Sequence, residues 1–133
     1  MAIRYDSGSE ISLTAVKSLW DKIPWAQGRD LDTVAVALLN SQRVVHAWDG
    51  DRLVGTARIV TDGAYYATLW DVIVDPSYQE QGIGTNLVDQ AIKPYLNRGF
   101  SFIALFAAEG KEEFYKHRGF SIHPRGMKIH EPL

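Results

Sequence analysis

Val72-Ile73-Val74-Asp75-Pro76-Ser77-Tyr78-Gln79-Glu80-Gln81-Gly82-Ile83-Gly84-Thr85 runs from an apolar segment through a proline turn into a glycine pair. It reads as strand, turn and helix. Pro76 cannot donate to a ladder, and a helix opening at the glycines leaves its first N–H groups without partners in the chain. Those groups, with the positive end of the helix dipole, favour a phosphate group. Glycine at 82 and 84 permits close backbone approach to such a group. The third glycine of a dinucleotide fingerprint is missing, since Thr85-Asn86-Leu87 follows, and no Gly-Lys-Ser/Thr of a Walker loop is present.

Upstream, Arg43 to Trp48 and Arg52 to Val60 flank the hairpin signal Asp49-Gly50-Asp51. Asp62-Gly63 marks a second turn before Tyr65 to Val74. The centre is therefore expected to be an antiparallel meander. Before it, Ile3 to Tyr5 suits a short strand, and Ser7 and Glu10 have capping-box spacing ahead of the helical pattern Leu13, Val16, Trp20, Ile23. Pro24 stops that helix, Trp25-Ala26-Gln27-Gly28 reads as a loop, and Asp32 can cap a second helix carrying Val34, Leu38 and Leu39.

Downstream, Ile83, Leu87, Val88, Ala91 and Ile92 form an amphipathic stripe that Pro94 terminates. Ser101 to Ala107 reads as a buried strand after a helix, which suggests a parallel pair with a right-handed crossover. Lys111 to Arg118 suits a short helix stopped by Gly119, with Phe120 to Ile122 and Met127 to His130 as closing strands. The fold class expected is α+β: a mixed, mostly antiparallel sheet with helices on both faces, in a single domain over residues 1–133.

At 133 residues the chain can bury a core without staples, and 46% hydrophobic with 23% charged residues suits a soluble domain. It has no cysteine. That excludes disulfides, thiolate metal sites and a covalent thiol intermediate, and suits a reducing, cytoplasmic setting. No apolar run has membrane-spanning length, and Met1 to Glu10 lacks the order of a signal peptide. A formal charge of −2 offers nucleic acid no general attraction. His46, His117, His123 and His130 have no ligand spacing, so no metal is expected.

The glycine turn does not stand alone. Trp70-Asp71-Val72-Ile73-Val74-Asp75-Pro76, Gln79-x-x-Gly82-x-Gly84, a strand ending near Ala107, and Glu112-Glu113-Phe114-Tyr115 ahead of Gly119-Phe120 occur in one order. With Ala47-Trp48-Asp49-Gly50-Asp51-Arg52-Leu53-Val54-Gly55, this series resembles the GNAT superfamily of acyl-CoA-dependent N-acetyltransferases over essentially the whole chain. It is similar to the small bacterial branch and to plastid-type enzymes that acetylate amines.

The resemblance implies a GNAT-like sheet with a splayed central parallel strand pair and acetyl-CoA as co-substrate. Backbone groups of Val72, Ile73 and Val74 would run beside the pantetheine arm. The amides from Gln79 through Glu80, Gln81, Gly82, Ile83, Gly84 and Thr85 would hold the diphosphate. Tyr115 matches the residue that protonates the leaving thiolate. For the proton acceptor of the amine, Asp71 is favoured because it shares a side-chain direction with Ile73 in an unbulged strand. Glu109 and an ordered water chain are the other options. Plastid-type relatives often have Asp where this chain has Ala108. Trp25, Trp70 and Glu109 are candidate acceptor contacts, and Trp20 is a further tryptophan of the same region. The acceptor would be a small-molecule or peptide amine, with neither nucleic acid nor membrane as partner and a homodimer as an implied option. A non-catalytic acyl-CoA-binding sensor and an interaction domain with no ligand are the alternative classes.

Overall fold

Five strands form one sheet in sequential order: β1 (Arg4–Asp6), β2 (Arg43–Asp49), β3 (Arg52–Thr61), β4 (Tyr66–Val74) and β5 (Phe102–Ala104). The structure is a computed structural model, and it describes residues 2–7 and 11–129. Among the described residues four α-helices accompany the sheet: α1 (Leu13–Trp20), α2 (Leu31–Leu39), α3 (Ile83–Ile92) and α4 (Glu112–His117). β1 to β4 are antiparallel neighbours, whereas β4 and β5 run parallel, with Tyr66, Ala67 and Thr68 opposite Phe102, Ile103 and Ala104.

This is the mixed, mostly antiparallel architecture expected. One detail differs: the parallel pair lies at the end of the sheet and not at its centre. Phe120 to Ile122 and 127–129 form no strand, and His130 lies outside the described residues. Gly119 at φ +99° and a turn at Pro124 interrupt this stretch, and proline has no N–H to give a ladder. β5 is also shorter and more exposed than the expected 101–107 strand. Its pairing with β4 stops at Thr68, so the rest of β4, down to Val74, has no partner on that side. The strands splay there.

The alternation of side chains along β2 and β3 divides the core into two layers. Val45, Ala47, Val54, Ala57 and Ile59 meet Ile83, Leu87, Val88 and Ala91 of α3. On the opposite face Val44, Leu53 and Ile73 meet Val16, Leu19 and Trp20 of α1, with Val34 and Leu38 of α2. Each fully buried Val, Leu or Ile contributes about 1.5–3 kcal/mol, so the two layers together hold the sheet between helices.

Helix starts are displaced from their expected positions. The cap of α1 is Ser12, whose Oγ accepts the Ala15 N–H at 3.2 Å, because it immediately precedes the first apolar position. Glu10 of the expected capping box lies outside the described residues. The cap of α2 is Asp30, which accepts the Thr33 N–H at 3.2 Å, two residues before the expected cap Asp32. Val34 and Leu38 are buried as expected, but Leu39 is 85% exposed. α3 ends as expected at Pro94, where 93–95 continues as one tighter turn.

Candidate active site

The glycine turn stands at the N-terminus of α3, where β4 ends. Glu80 (φ +64°) and Gly82 (φ +83°) are both left-handed, which reverses the chain into the helix. The first helical bond runs from the Asn86 N–H to the Gly82 carbonyl at 3.2 Å, leaving the N–H groups of Ile83, Gly84 and Thr85 without intrahelical acceptors.

The turn is anchored from behind. Asp75, 1% exposed, accepts Lys22 Nζ at 2.7 Å, Arg52 Nη2 at 3.0 Å and the Ser77 N–H at 2.9 Å. Burial alone would raise its carboxyl pKa. The Lys22 hydrogen bond, the Ser77 N–H and the charges of Lys22 and Arg52 outweigh that and hold it below the ordinary value. Tyr78 donates to Asp49 at 2.5 Å, and Gln79 Nε2 donates to the Val74 carbonyl at 3.2 Å.

A cleft of about 890 Å³ opens in front of the turn. Of the residues singled out by sequence, Asp71, Val72, Ile73, Val74, Gln79, Glu80, Gly82, Ile83, Gly84, Thr85, Tyr115, Trp25 and Trp70 line it. Gln81 and Glu109 are exposed and do not. Trp20 is not a wall but core, 1% exposed, with its Nε1–H on Thr56 Oγ1 at 2.9 Å. Trp70 is oriented by its own bond to Thr68 Oγ1 at 2.7 Å and lies 5.9 Å from the Phe106 ring.

The cleft fits a CoA thioester. A Cβ on Gly84 would stand 3.6 Å from Phe114 Cζ and 3.8 Å from Val74 Cγ2, in ordinary contact with both, so a larger side chain would have to enter the passage between them. Gly82 has a different reason. No atom lies within 4 Å of its virtual Cβ, and its left-handed φ is what requires glycine.

Tyr115 lines the same cleft as the turn, half-buried between Phe114 and Phe120 with edge-on rings at 5.0 and 5.9 Å. Burial pushes its phenol above the ordinary value of 10.0, so it is fully protonated at neutral pH and able to donate.

Asp71 departs from its expected geometry. The β3–β4 register slips between Thr56 and Arg58, and Asp71 itself is left-handed at φ +51°. The strand is bulged, so simple alternation with Ile73 does not apply. Its carboxylate is gripped by two guanidinium groups. Arg29 is bidentate at 3.0 and 3.3 Å, and Arg58 Nε donates at 2.9 Å, so both oxygens are engaged. The carboxylate thus ties Arg29, from the loop after α1, to Arg58 of β3.

Sequence reading places the Trp20 to Asp30 region in the pocket wall without singling out Arg29, and it misses Phe106 and Lys111; all three line the cleft. Arg29 and Asp71 are 42 positions apart, and only the tertiary fold brings them together. Lys111 reads in sequence as part of a solvated mixed-charge face, and the turn before α4 brings it to the cleft.

The chain belongs to the acetyltransferase (GNAT) family, whose model matches residues 13–120. It is 39% identical over 137 residues to the histone acetyltransferase TAP1 of Glycine max, with 95% of this chain and 59% of that protein covered. It is 36% identical over 146 residues to the chloroplastic GCN5-related N-acetyltransferase 2 of Arabidopsis thaliana, covering 95% of this chain and 56% of that protein. The chain thus spans somewhat more than half the length of these two relatives. Among solved structures, a GNAT family acetyltransferase from Streptococcus pneumoniae superposes with a TM-score of 0.84 at 29% identity, over 99% of this chain and all of that one. No helix among the described residues is long and apolar enough to cross a membrane.

Proposed function

We propose that this chain transfers the acetyl group of acetyl-CoA to a primary amine by direct attack within a ternary complex. The observation that carries the proposal is the cleft itself. The glycine turn, the unpaired side of β4 and the Tyr115 phenol all face one space.

Each part has one task. Free amides at Ile83, Gly84 and Thr85 bind the diphosphate, as a helix N-terminus binds any phosphate. The backbone of Val72 to Val74 aligns the thioester arm, and an N–H there stabilises the oxyanion. A carbon–nitrogen bond forms, the carbon–sulfur bond breaks, and Tyr115 gives its proton to the departing sulfur. The amine proton leaves to water in the cleft, because the oxygens of Asp71 are engaged by Arg29 and Arg58. Alignment of the two reactants supplies ~7–11 kcal/mol and one oxyanion donor ~3–4 kcal/mol, so scaffold geometry outweighs any single side chain.

The test is calorimetry with acetyl-CoA followed by thiol release across a panel of primary amines. Because the Glycine max relative is named a histone acetyltransferase, a lysine-bearing peptide belongs on the panel. Acetyl-CoA binding with thiol release for at least one amine is the expected outcome. Tight binding with no release from any amine would favour the acyl-CoA sensor instead.

A further inference from the structure

We infer that the acceptor is an amino-acid-type amine whose carboxylate docks on Arg29. This inference rests on the acetyl-transfer reading and names the substrate class of the same site.

The end of the cleft around the Arg29–Asp71 pair is lined by Trp25, Trp70 and Phe106. Arg29 is fixed in place before any ligand arrives. Its carbonyl accepts Lys17 Nζ at 2.8 Å, while the neighbouring Gly28 N–H is held by Asp21 at 2.9 Å. Its guanidinium lies 4.9 Å from the Trp20 ring and 5.9 Å from the Trp25 ring. Two of its nitrogens bind Asp71, and guanidinium has five N–H donors, so donors remain. A preorganised guanidinium with spare donors is suited to bind a planar carboxylate.

The charge at this end also selects. Two guanidinium groups, Arg29 and Arg58, share the single carboxylate of Asp71, which leaves positive charge in excess among the described residues. The cleft's other acid, Glu80, belongs to the glycine turn, and Glu109 does not line the cleft. An extended polyamine would bring a second ammonium toward like charge. An acceptor with a carboxylate meets opposite charge instead. The bulge puts this anion site next to the reacting centre, since Asp71, which holds Arg29, directly precedes Val72 on β4. A carboxylate on Arg29 thus keeps its own amine close to the strand that aligns the thioester. Trp25, 56% exposed, and Trp70 offer the body of the acceptor an aromatic surface. Asp71 is a positioning residue in this arrangement.

The experiment compares phenylalanine, phenylalaninamide and 2-phenylethylamine, with leucine and 3-methylbutylamine as an aliphatic pair, each kcat/KM expressed per free-base amine. Wild type, Arg29→Gln and Arg29→Lys are assayed by thiol release, and acetyl-CoA affinity is measured separately by calorimetry. The wild type should prefer the carboxylate-bearing member by about 10–100-fold, the discrimination expected of one hydrogen-bonded charge. Arg29→Gln should erase that preference through KM, Arg29→Lys should restore part of it, and acetyl-CoA affinity should hold in both. Equal or better use of the carboxylate-free amines by wild type overturns the inference, as does a preference that survives in Arg29→Gln or turnover confined to a lysine-bearing peptide. Loss of acetyl-CoA binding in the wild type would instead remove the acetyl-transfer reading, and this inference with it.

Discussion

Lys22 and Asp75 are 53 positions apart, yet their side chains meet at 2.7 Å and join the end of α1 to the turn that leads into α3. The folded carboxyl pKa lies below the ordinary 3.8, so this group contributes stability above pH 3.8 and loses it as the pH falls through the lower folded value. Acid unfolding followed by circular dichroism should therefore steepen below pH 4. Asp75→Asn should be less stable at neutral pH and show a shallower acid slope. An unchanged slope would mean that other carboxyls dominate acid unfolding.

The two glycines of the turn should respond differently to substitution. Gly82→Ala forces a Cβ into a left-handed site and should cost ~1–2 kcal/mol in urea denaturation. Gly84 has helical backbone, so Gly84→Val should fold normally while its side chain enters the passage between Phe114 and Val74. Calorimetry should find acetyl-CoA affinity lost in Gly84→Val. Undiminished affinity there would put the diphosphate elsewhere.

Removing the phenol should separate binding from chemistry. Tyr115→Phe keeps both aromatic contacts with Phe114 and Phe120 but has no proton to give. We expect kcat to fall by ~10²–10⁴ with acetyl-CoA affinity retained. Steady-state kinetics with an accepted amine checks this, and a kcat equal to wild type would take Tyr115 out of the reaction.

Gly55 in β3 lies directly under Leu87 of α3. A Cβ there would lie 2.8 Å from Leu87 Cδ1, 3.3 Å from Ala47 Cβ and 3.3 Å from the Ile73 carbonyl. Leu87 is fully buried and has no room to turn aside. Gly55→Ala should cost ~1–3 kcal/mol by overpacking. Leu87→Ala should cost ~2–5 kcal/mol by leaving a cavity. The double variant should be less destabilised than the sum, because each change relieves the other. Additive denaturation midpoints would mean that the contact does not couple them.

What the sequence reveals is what depends on near neighbours. The meander, the α3 stripe and the glycine turn each follow from spacing within about a dozen residues, and each forms where expected. The family order of Val72–Val74, Gly82, Gly84 and Tyr115 places them on one cleft because the strand–helix–strand connection is itself local. The misses are long-range or depend on one backbone angle. Nothing near Arg29 in the chain announces its bond to Asp71, and the positive φ of Asp71 has no signature in Trp70-Asp71-Val72. Ser12 and Asp30 displace the expected caps because several polar residues compete at each helix start, and packing decides among them. The closing strands fail because alternation in Phe120 to Ile122 cannot outweigh the turn at Pro124 and Arg125.

The gap between β4 and β5 makes the sheet an unfinished template. Three rungs hold β5 to its neighbour, and the remaining peptide groups of β4 face space that a pantetheine arm can fill as a surrogate strand. Occupancy would therefore knit the segment from β5 through α4 to the meander. Amides there should exchange with solvent far more slowly in the liganded protein than in the free one.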